Sequence, residues 1–300
     1  MNLLPRNVLS ATIACMLAGT VGSAFAESSP TLERIAQTGT ITLGHRESSI
    51  PFSYLNGTQP VGFAMDLCMR VVDALKVQTK RPDLKVNYQM VTSSNRLPLV
   101  QNGTVDLECG STTNNTVRQK EVAFTLNHFY TGTRLLTRKD SGITKLADLK
   151  GKTLATTAGT TNLQVLRRLI HDSNLDVNML SAKDHADAVL LVESGRAVAF
   201  GMDDILLYGF AAASAKPADW VVVGEPLQVE PYAIMLRKDD PEFKKVVDAT
   251  MLKTIQSGEF ETLYRKWFQS PIPPKNVNLN VPMSEDLKRH LKAPSDRPNL

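Results

Sequence analysis

The chain has 300 residues, 42% of them hydrophobic and 21% charged, with 34 Lys and Arg against 30 Asp and Glu for a formal charge of +4. This length allows about two domains with a sizeable core in each, and the basic excess forms no run of five or six like charges, so nucleic-acid binding and a polybasic membrane role have no support. Seventeen glycines and 16 prolines exclude collagen-like and low-complexity architectures, and apolar residues recur too often for a disordered chain.

Residues 1–26 read as a secretory signal. Arg6 supplies the basic start, Val8 to Gly22 the apolar stretch, and Ala24-Phe25-Ala26 the small-residue site for cleavage after Ala26. Thr12, Thr20 and Ser23 interrupt a stretch already short of a membrane span. Cys15 has too few apolar residues before it for lipid attachment. The mature chain, 27–300, is thus expected to be exported. It keeps Cys68 and Cys109, which either pair in an oxidising compartment or sit as two small buried side chains; sequence separation does not decide between them.

Strands and helices then alternate. Ile41 to Leu43 is a short strand, and Phe63, Leu67, Val71 and Leu75 mark an amphipathic helix opened by the Pro60-Val61-Gly62 turn. Val86, Tyr88 and Met90 form a strand, Asn95 to Val100 a short helix stopped by Asn102-Gly103, and Val105 to Cys109 a strand leading to a helix start near Arg118. That βαβαβ order predicts an α/β fold with a mostly parallel sheet covered on both faces. A second unit repeats the order with a strand at Leu154 to Thr157, helices at Leu163 to Ile170 and Asp187 to Glu193, a strand at Val198 to Phe200 and a helix at Asp204 to Ala213. Tyr232 to Leu236 is a strand, and Pro241 to Gln256 and Glu259 to Phe268 are helices. The last thirty residues, with Pro271, Pro273, Pro274, Pro282, Pro294 and Pro298, read as an irregular surface segment.

In open α/β sheets, ligands bind beyond the carboxyl ends of the strands. There the chain places His45-Arg46, Ser93 to Arg96, and Ser111, Thr113 and Arg118. In the second unit it places Thr160-Thr161, His185 and Asp203. An arginine alone is an ordinary surface charge, but three with one aspartate and several hydroxyls suit a small zwitterionic anion. Guanidinium forks match carboxylates, Asp accepts from an ammonium, and the helix start at Thr160-Thr161 favours a carboxylate. The five histidines are scattered without metal-ligand spacing, no dinucleotide or P-loop glycine pattern exists, and no GxSxG elbow marks a hydrolase.

From Leu32 to Lys292 the chain resembles the periplasmic glutamate/aspartate-binding proteins of Gram-negative ABC importers. The similarity is carried by Gly44-His45-Arg46-Glu47-Ser48-Ser49-Ile50-Pro51-Phe52-Ser53-Tyr54, Leu99-Val100-Gln101-Asn102-Gly103 and Glu108-Cys109-Gly110-Ser111-Thr112-Thr113-Asn114-Asn115. It continues in Ser181-Ala182-Lys183-Asp184-His185, Glu193-Ser194-Gly195-Arg196-Ala197-Val198-Ala199-Phe200 and Ser270-Pro271-Ile272-Pro273-Pro274-Lys275-Asn276.

The resemblance implies a type II two-lobe periplasmic-binding-protein fold. Lobe 1 would be 27–130 plus 232–300 and lobe 2 would be 131–231, with crossovers near Tyr130 to Arg134 and Glu225 to Tyr232. It implies hinge closure on L-glutamate or L-aspartate, no cofactor or metal, a monomer, and delivery to permease subunits of an ABC transporter in the inner membrane. It assigns Arg118, Thr113 and Thr161 to the α-carboxylate, Asp203 and Ser111 to the ammonium, and Arg46, Arg96, Ser93 and His185 to the side-chain carboxylate. Three arginines less one aspartate give a charge of +2, which matches an acidic ligand. The rival is a cyclohexadienyl-type dehydratase on the same fold. It needs a general acid or base in the cleft, and only Asp203 and His185 are available there, both already engaged by the amino-acid reading. A receptor-linked sensor would share the same binding step.

Overall fold

The computed structural model describes residues 29–298 together with Met1 and Asn2; the predicted signal segment and Cys15 lie outside the described residues. The chain enters through α1 (Pro30–Thr38), whose N-cap Ser29 accepts from Leu32 N, and passes into β1 (Thr40–His45). A three-stranded antiparallel ribbon follows: β2 (Ser48–Ser49), β3 (Ser53–Asn56) and β4 (Gln59–Val61). The predicted four-residue periodicity is realised as α2 (Phe63–Gln78), which buries Phe63, Leu67, Val71 and Leu75. Each such side chain contributes about 1.5–3 kcal/mol by leaving water. Then come β5 (Lys85–Met90), α3 (Arg96–Gln101), β6 (Leu107–Glu108) and β7 (Val122–Phe124). Between the last two, the helix expected from Arg118 is a single 3-10 turn, Arg118–Lys120, because the chain turns directly into β7.

The long β8 (Phe129–Arg138) leads to β9 (Lys152–Thr157), α4 (Thr161–Asp172), β10 (Val177–Ala182), α5 (His185–Glu193), β11 (Ala199–Asp203), α6 (Asp204–Ala213) and β12 (Trp220–Val223). β13 (Val229–Tyr232) returns antiparallel to β8, with Glu230 opposite Thr131. The strand expected over Tyr232 to Leu236 is divided, β13 ending at Tyr232 and β14 (Met235–Arg237) joining the first sheet. The chain closes with α7 (Pro241–Gln256), α8 (Glu259–Phe268) and α9 (Glu285–Lys292).

Two sheets result, in the orders β5-β1-β6-β14-β7 and β10-β9-β11-β8-β12. In the first, β1 is parallel to β5 and β6; in the second, β9 is parallel to β10 and β11. These are the pairs that the βαβ order dictates. β14 and β8 add antiparallel neighbours, because the chain re-enters each sheet from the opposite direction. The molecule is a two-lobe α/β protein, with β8 and β13 running side by side between the lobes.

The tail corrects the irregular reading. Ser284 caps α9 by accepting from Leu287 N, Glu285 and Asp286 stand in its positive first turn, and Leu287 and His290 are buried. Pro282 and Pro294 flank this helix rather than interrupt it.

Cys68 of α2 and Cys109, just past β6, form a disulfide with Cα atoms 6.2 Å apart. Closing that 41-residue separation is worth about 4 kcal/mol in the chain-entropy account. Nearby, Phe52, Phe63, Phe129, Tyr232, Tyr264 and Phe268 pack edge-on and stacked. The fully buried His128 ring lies 5.9 Å from Phe63, and neither of its nitrogens has a hydrogen-bond partner among the described residues.

Candidate functional site

Each predicted site residue stands at the end of a strand or the start of a helix. Arg46 follows β1, its N–H donating to Ser53 Oγ at 2.9 Å. Ser93 lies in the turn after β5, and Arg96 is the first residue of α3. Ser111 and Thr113 follow β6, and Arg118 opens the 3-10 turn. Thr161 begins α4 behind the N-cap Thr160, His185 begins α5 behind the N-cap Asp184, and Asp203 ends β11. The Thr160 turn meets the other lobe closely. Gly159 has φ +75°, and a Cβ there would lie 2.7 Å from the backbone of Ser93 and Ser94. The two backbones approach this closely only because the residue is glycine.

All nine predicted residues are buried. Ser93, Arg96, Ser111, Thr113, Thr161, His185 and Asp203 line one narrow cavity of about 10 Å³, completed by Thr160, Asn162, Met202 and Leu206. Arg46 and Arg118 pack beside the lining residues, Arg46 against His185 and Arg118 against Thr113. That is about the room of one water molecule, far below the roughly 300–1,000 Å³ of drug-sized pockets, so the walls stand close together.

Arg46 Nη2 donates to Asp184 Oδ2 at 3.1 Å and lies 3.4 Å from His185 Nε2, while His185 Nδ1 is 2.9 Å from Thr157 Oγ1. Burial, then the Arg46 charge, pushes His185 well below its ordinary value, so its ring is neutral. Burial raises Asp184, but its charged and hydroxyl partners, Arg46 and Ser48 among them, outweigh that and hold it below the usual carboxylate range. Arg96 Nη1 donates to Ser111 O at 3.3 Å and to Thr112 Oγ1, and lies 3.9 Å from Glu108 Oε1. Arg118 donates from Nη1 to Thr113 O at 2.8 Å and from Nη2 to Gly159 O at 3.3 Å.

Asp203 accepts from Asn162 Nδ2 at 2.8 Å and from the Tyr232 hydroxyl at 2.5 Å. Burial, with the Glu230 charge nearby, pushes it up to about 7. Thr113 and Thr161 stand 3.2 Å apart, and both hydroxyls donate to Glu230 Oε2, at 2.8 and 2.6 Å.

Three acids therefore join the site that the sequence reading left out. Asp184 carried a signal, since an Asp directly before a helix start is a cap. Glu108 lies three residues before the lining residue Ser111, and the fully buried disulfide cysteine beside it marks that strand end as interior. Glu230 gives no local signal, because it arrives from the far crossover strand. With these acids the expected +2 is overturned: three guanidiniums face four carboxylates. Preference for an anion has to come from unpaired donors rather than from the sum of charges. Among the described residues, Arg46 Nε and Nη1, Arg96 Nε and Ser93 Oγ are buried without a partner. Chemically the arrangement can hold a small dicarboxylate through those donors and an ammonium through Asp203.

A family described as bacterial extracellular solute-binding proteins, family 3, matches residues 41–270. The L-glutamate/L-aspartate-binding protein of Pseudomonas aeruginosa is 51% identical over 300 residues, covering 99% of this chain and 98% of that protein. The glutamate/aspartate import solute-binding protein of Escherichia coli is 49% identical over 268 residues, 89% of each chain. Among solved structures, the ancestral amino acid-binding protein AncCDT-1, a precursor of cyclohexadienyl dehydratase, is similar with a TM-score of 0.69 and 29% identity, covering 79% of this chain and 99% of that one. An ancestral arginine-binding protein bound to arginine aligns with a TM-score of 0.68 and 26% identity over 77% and 98% of the respective chains.

Proposed function

Because this chain belongs to family 3 of the bacterial extracellular solute-binding proteins, we propose that it captures L-glutamate and L-aspartate in the cavity between its lobes and hands them to an ABC importer. The observation that carries this reading is the set of unpaired donors around Arg46 and Arg96. A buried guanidinium N–H without an acceptor is costly, and a side-chain carboxylate supplies the acceptors that an amide supplies only in part. Arg46, Arg96, Ser93 and His185 would surround that carboxylate. Arg118 with the α4 N-terminus would take the α-carboxylate, and Asp203 and Ser111 the ammonium.

In this reading the chain is a monomeric, non-catalytic receptor, exported through residues 1–26 to the periplasm and docking on permease subunits in the inner membrane. Its lobes are 27–130 plus 232–300 and 131–231. One observation supports the non-catalytic part: both curated relatives reported above are named as binding proteins. Among the described residues no helix is long and apolar enough to cross a membrane.

Titration calorimetry on the ligand-stripped protein tests the proposal with glutamate, aspartate, glutamine and asparagine. One-to-one binding of the two acids, with the amides about tenfold weaker or more, is the expected result. Equal binding of all four, or of none, would overturn it, and turnover of prephenate or arogenate would replace it with the dehydratase.

A further inference from the structure

We propose that Glu230 sets the hydrogen-bond polarity of the ammonium end of the cavity by claiming the hydroxyl hydrogens of Thr113 and Thr161. The inference rests on the amino-acid reading above and deepens it. Glu230 is 4% exposed and sits on β13, opposite Thr131 of β8. Its Oε1 accepts from Gln228 Nε2 at 2.7 Å, which fixes the carboxylate, and its Oε2 receives both threonine hydroxyls.

A hydroxyl has one hydrogen and two lone pairs. Once both hydrogens point at Glu230, the two oxygens offer only lone pairs to the cavity they line. Lone pairs accept from an ammonium and have nothing to give a carboxylate. Thr113 and Thr161 side chains therefore group with Asp203 as acceptors, not with Arg118 as donors, which revises the roles that the sequence resemblance gave them. The α-carboxylate is left to the Arg118 guanidinium and to the first N–H groups of α4, which have no partner within the helix. The threonines come from different lobes, one after β6 and one at the start of α4. A single carboxylate thus orients acceptors on both walls.

A glutamine at this position keeps the shape, and its NH2 in the place of Oε2 donates to both threonine oxygens, which turns both hydroxyl hydrogens toward the ammonium. Calorimetry with L-glutamate and with glutarate, which lacks the ammonium, separates the outcomes. Glu230→Gln should weaken L-glutamate about tenfold or more and glutarate less than about threefold. Thr161→Val should show the same selectivity. The double variant should be no weaker than about the worse single one, since both changes remove the same hydrogen arrangement. Equal losses for both ligands, or additive losses, would overturn the proposal. A readout independent of any ligand is the hydroxyl proton resonances of Thr113 and Thr161, which burial slows in exchange. They should shift in Glu230→Gln, and no shift would sink the proposal. Failure of the wild-type protein to bind glutamate would instead sink the function proposed above.

Discussion

Arg46, fully buried, donates to Asp184 Oδ2 at 3.1 Å and so ties the loop after β1 in one lobe to the N-cap of α5 in the other. Ser48 of the first lobe joins the same carboxylate, and its Oγ accepts from Ala186 N at 3.3 Å. Removing one partner of such a pair leaves a buried charge unopposed, at a cost of about 3–5 kcal/mol, and losing the cap adds about 1. Asp184→Ala should therefore lower the melting temperature by on the order of 10 °C, and Asp184→Asn, which keeps the cap, by less. Thermal unfolding followed by circular dichroism checks both; an unchanged melting temperature in the alanine variant means the pair contributes nothing.

Arg96 lines the cavity, its Nε is buried without a partner among the described residues, and its Nη1 is held by Ser111 O and Thr112. Truncation to alanine should weaken L-glutamate by about 30-fold or more, the size of a lost charge-assisted contact of roughly 2–5 kcal/mol. Binding of L-glutamine should fall less, so that the preference for the acid shrinks. Calorimetry on Arg96→Ala with both ligands measures the ratio, and an unaltered ratio would place the side-chain carboxylate elsewhere.

The raised Asp203 gives binding a pH dependence of defined sign. With its carboxyl up at about 7, burial being the main cause, the group is largely protonated below neutrality. A ligand ammonium favours the carboxylate, so binding expels a proton. Affinity should rise with pH up to about 7, by at most about tenfold per unit, and level off above. Calorimetry in buffers of different ionisation heat counts the released proton. Asp203→Asn should release none.

Acid should destabilise the fold through His128. Burial, with His290 nearby, pushes its ring down to about 3. The unfolded chain takes up a proton below about 6.5 while the folded ring stays neutral, so stability present above 6.5 is lost as pH falls toward 3. The loss is about 1.4 kcal/mol per pH unit. Asp203 acts oppositely, costing stability as pH rises from its unfolded value toward 7. His128→Phe suits the surrounding rings and removes the uptake. Urea unfolding at pH 7 and pH 5 should show the variant losing about 2 kcal/mol less than the wild type over that interval.

Much of this architecture is legible in the sequence for physical reasons. Period-four burial in α2 and the order of short strands fix the parallel halves of both sheets. Parallel strand ends then gather their following loops, which is why Arg46, Ser93, Thr113, Thr161 and Asp203 converge from distant positions. What escapes are partners brought by non-local pairing. Glu230 reaches the threonines because β13 lies beside β8, a register that no local pattern encodes. The α9 helix escapes for a different reason. Its prolines sit outside both ends, where they delimit a helix instead of breaking one. The cysteines were undecidable because pairing depends on a Cα distance that only the tertiary packing of α2 against the strand end sets.

Every side chain lining the cavity is buried. The Gly159 turn leaves no room for a Cβ beside Ser93 and Ser94, so a solute is expected to enter and leave as the lobes part. Residence time is then governed by contacts the solute never makes: the Arg46–Asp184 pair, Ser48 on the start of α5, and the two threonines meeting on Glu230. Changes at Asp184 or Ser48 should alter how long a captured molecule stays while leaving its own hydrogen bonds intact. In kinetic terms, Arg46, Thr113 and Thr161 serve both the door and the seat, whereas Asp184 and Ser48 serve the door alone.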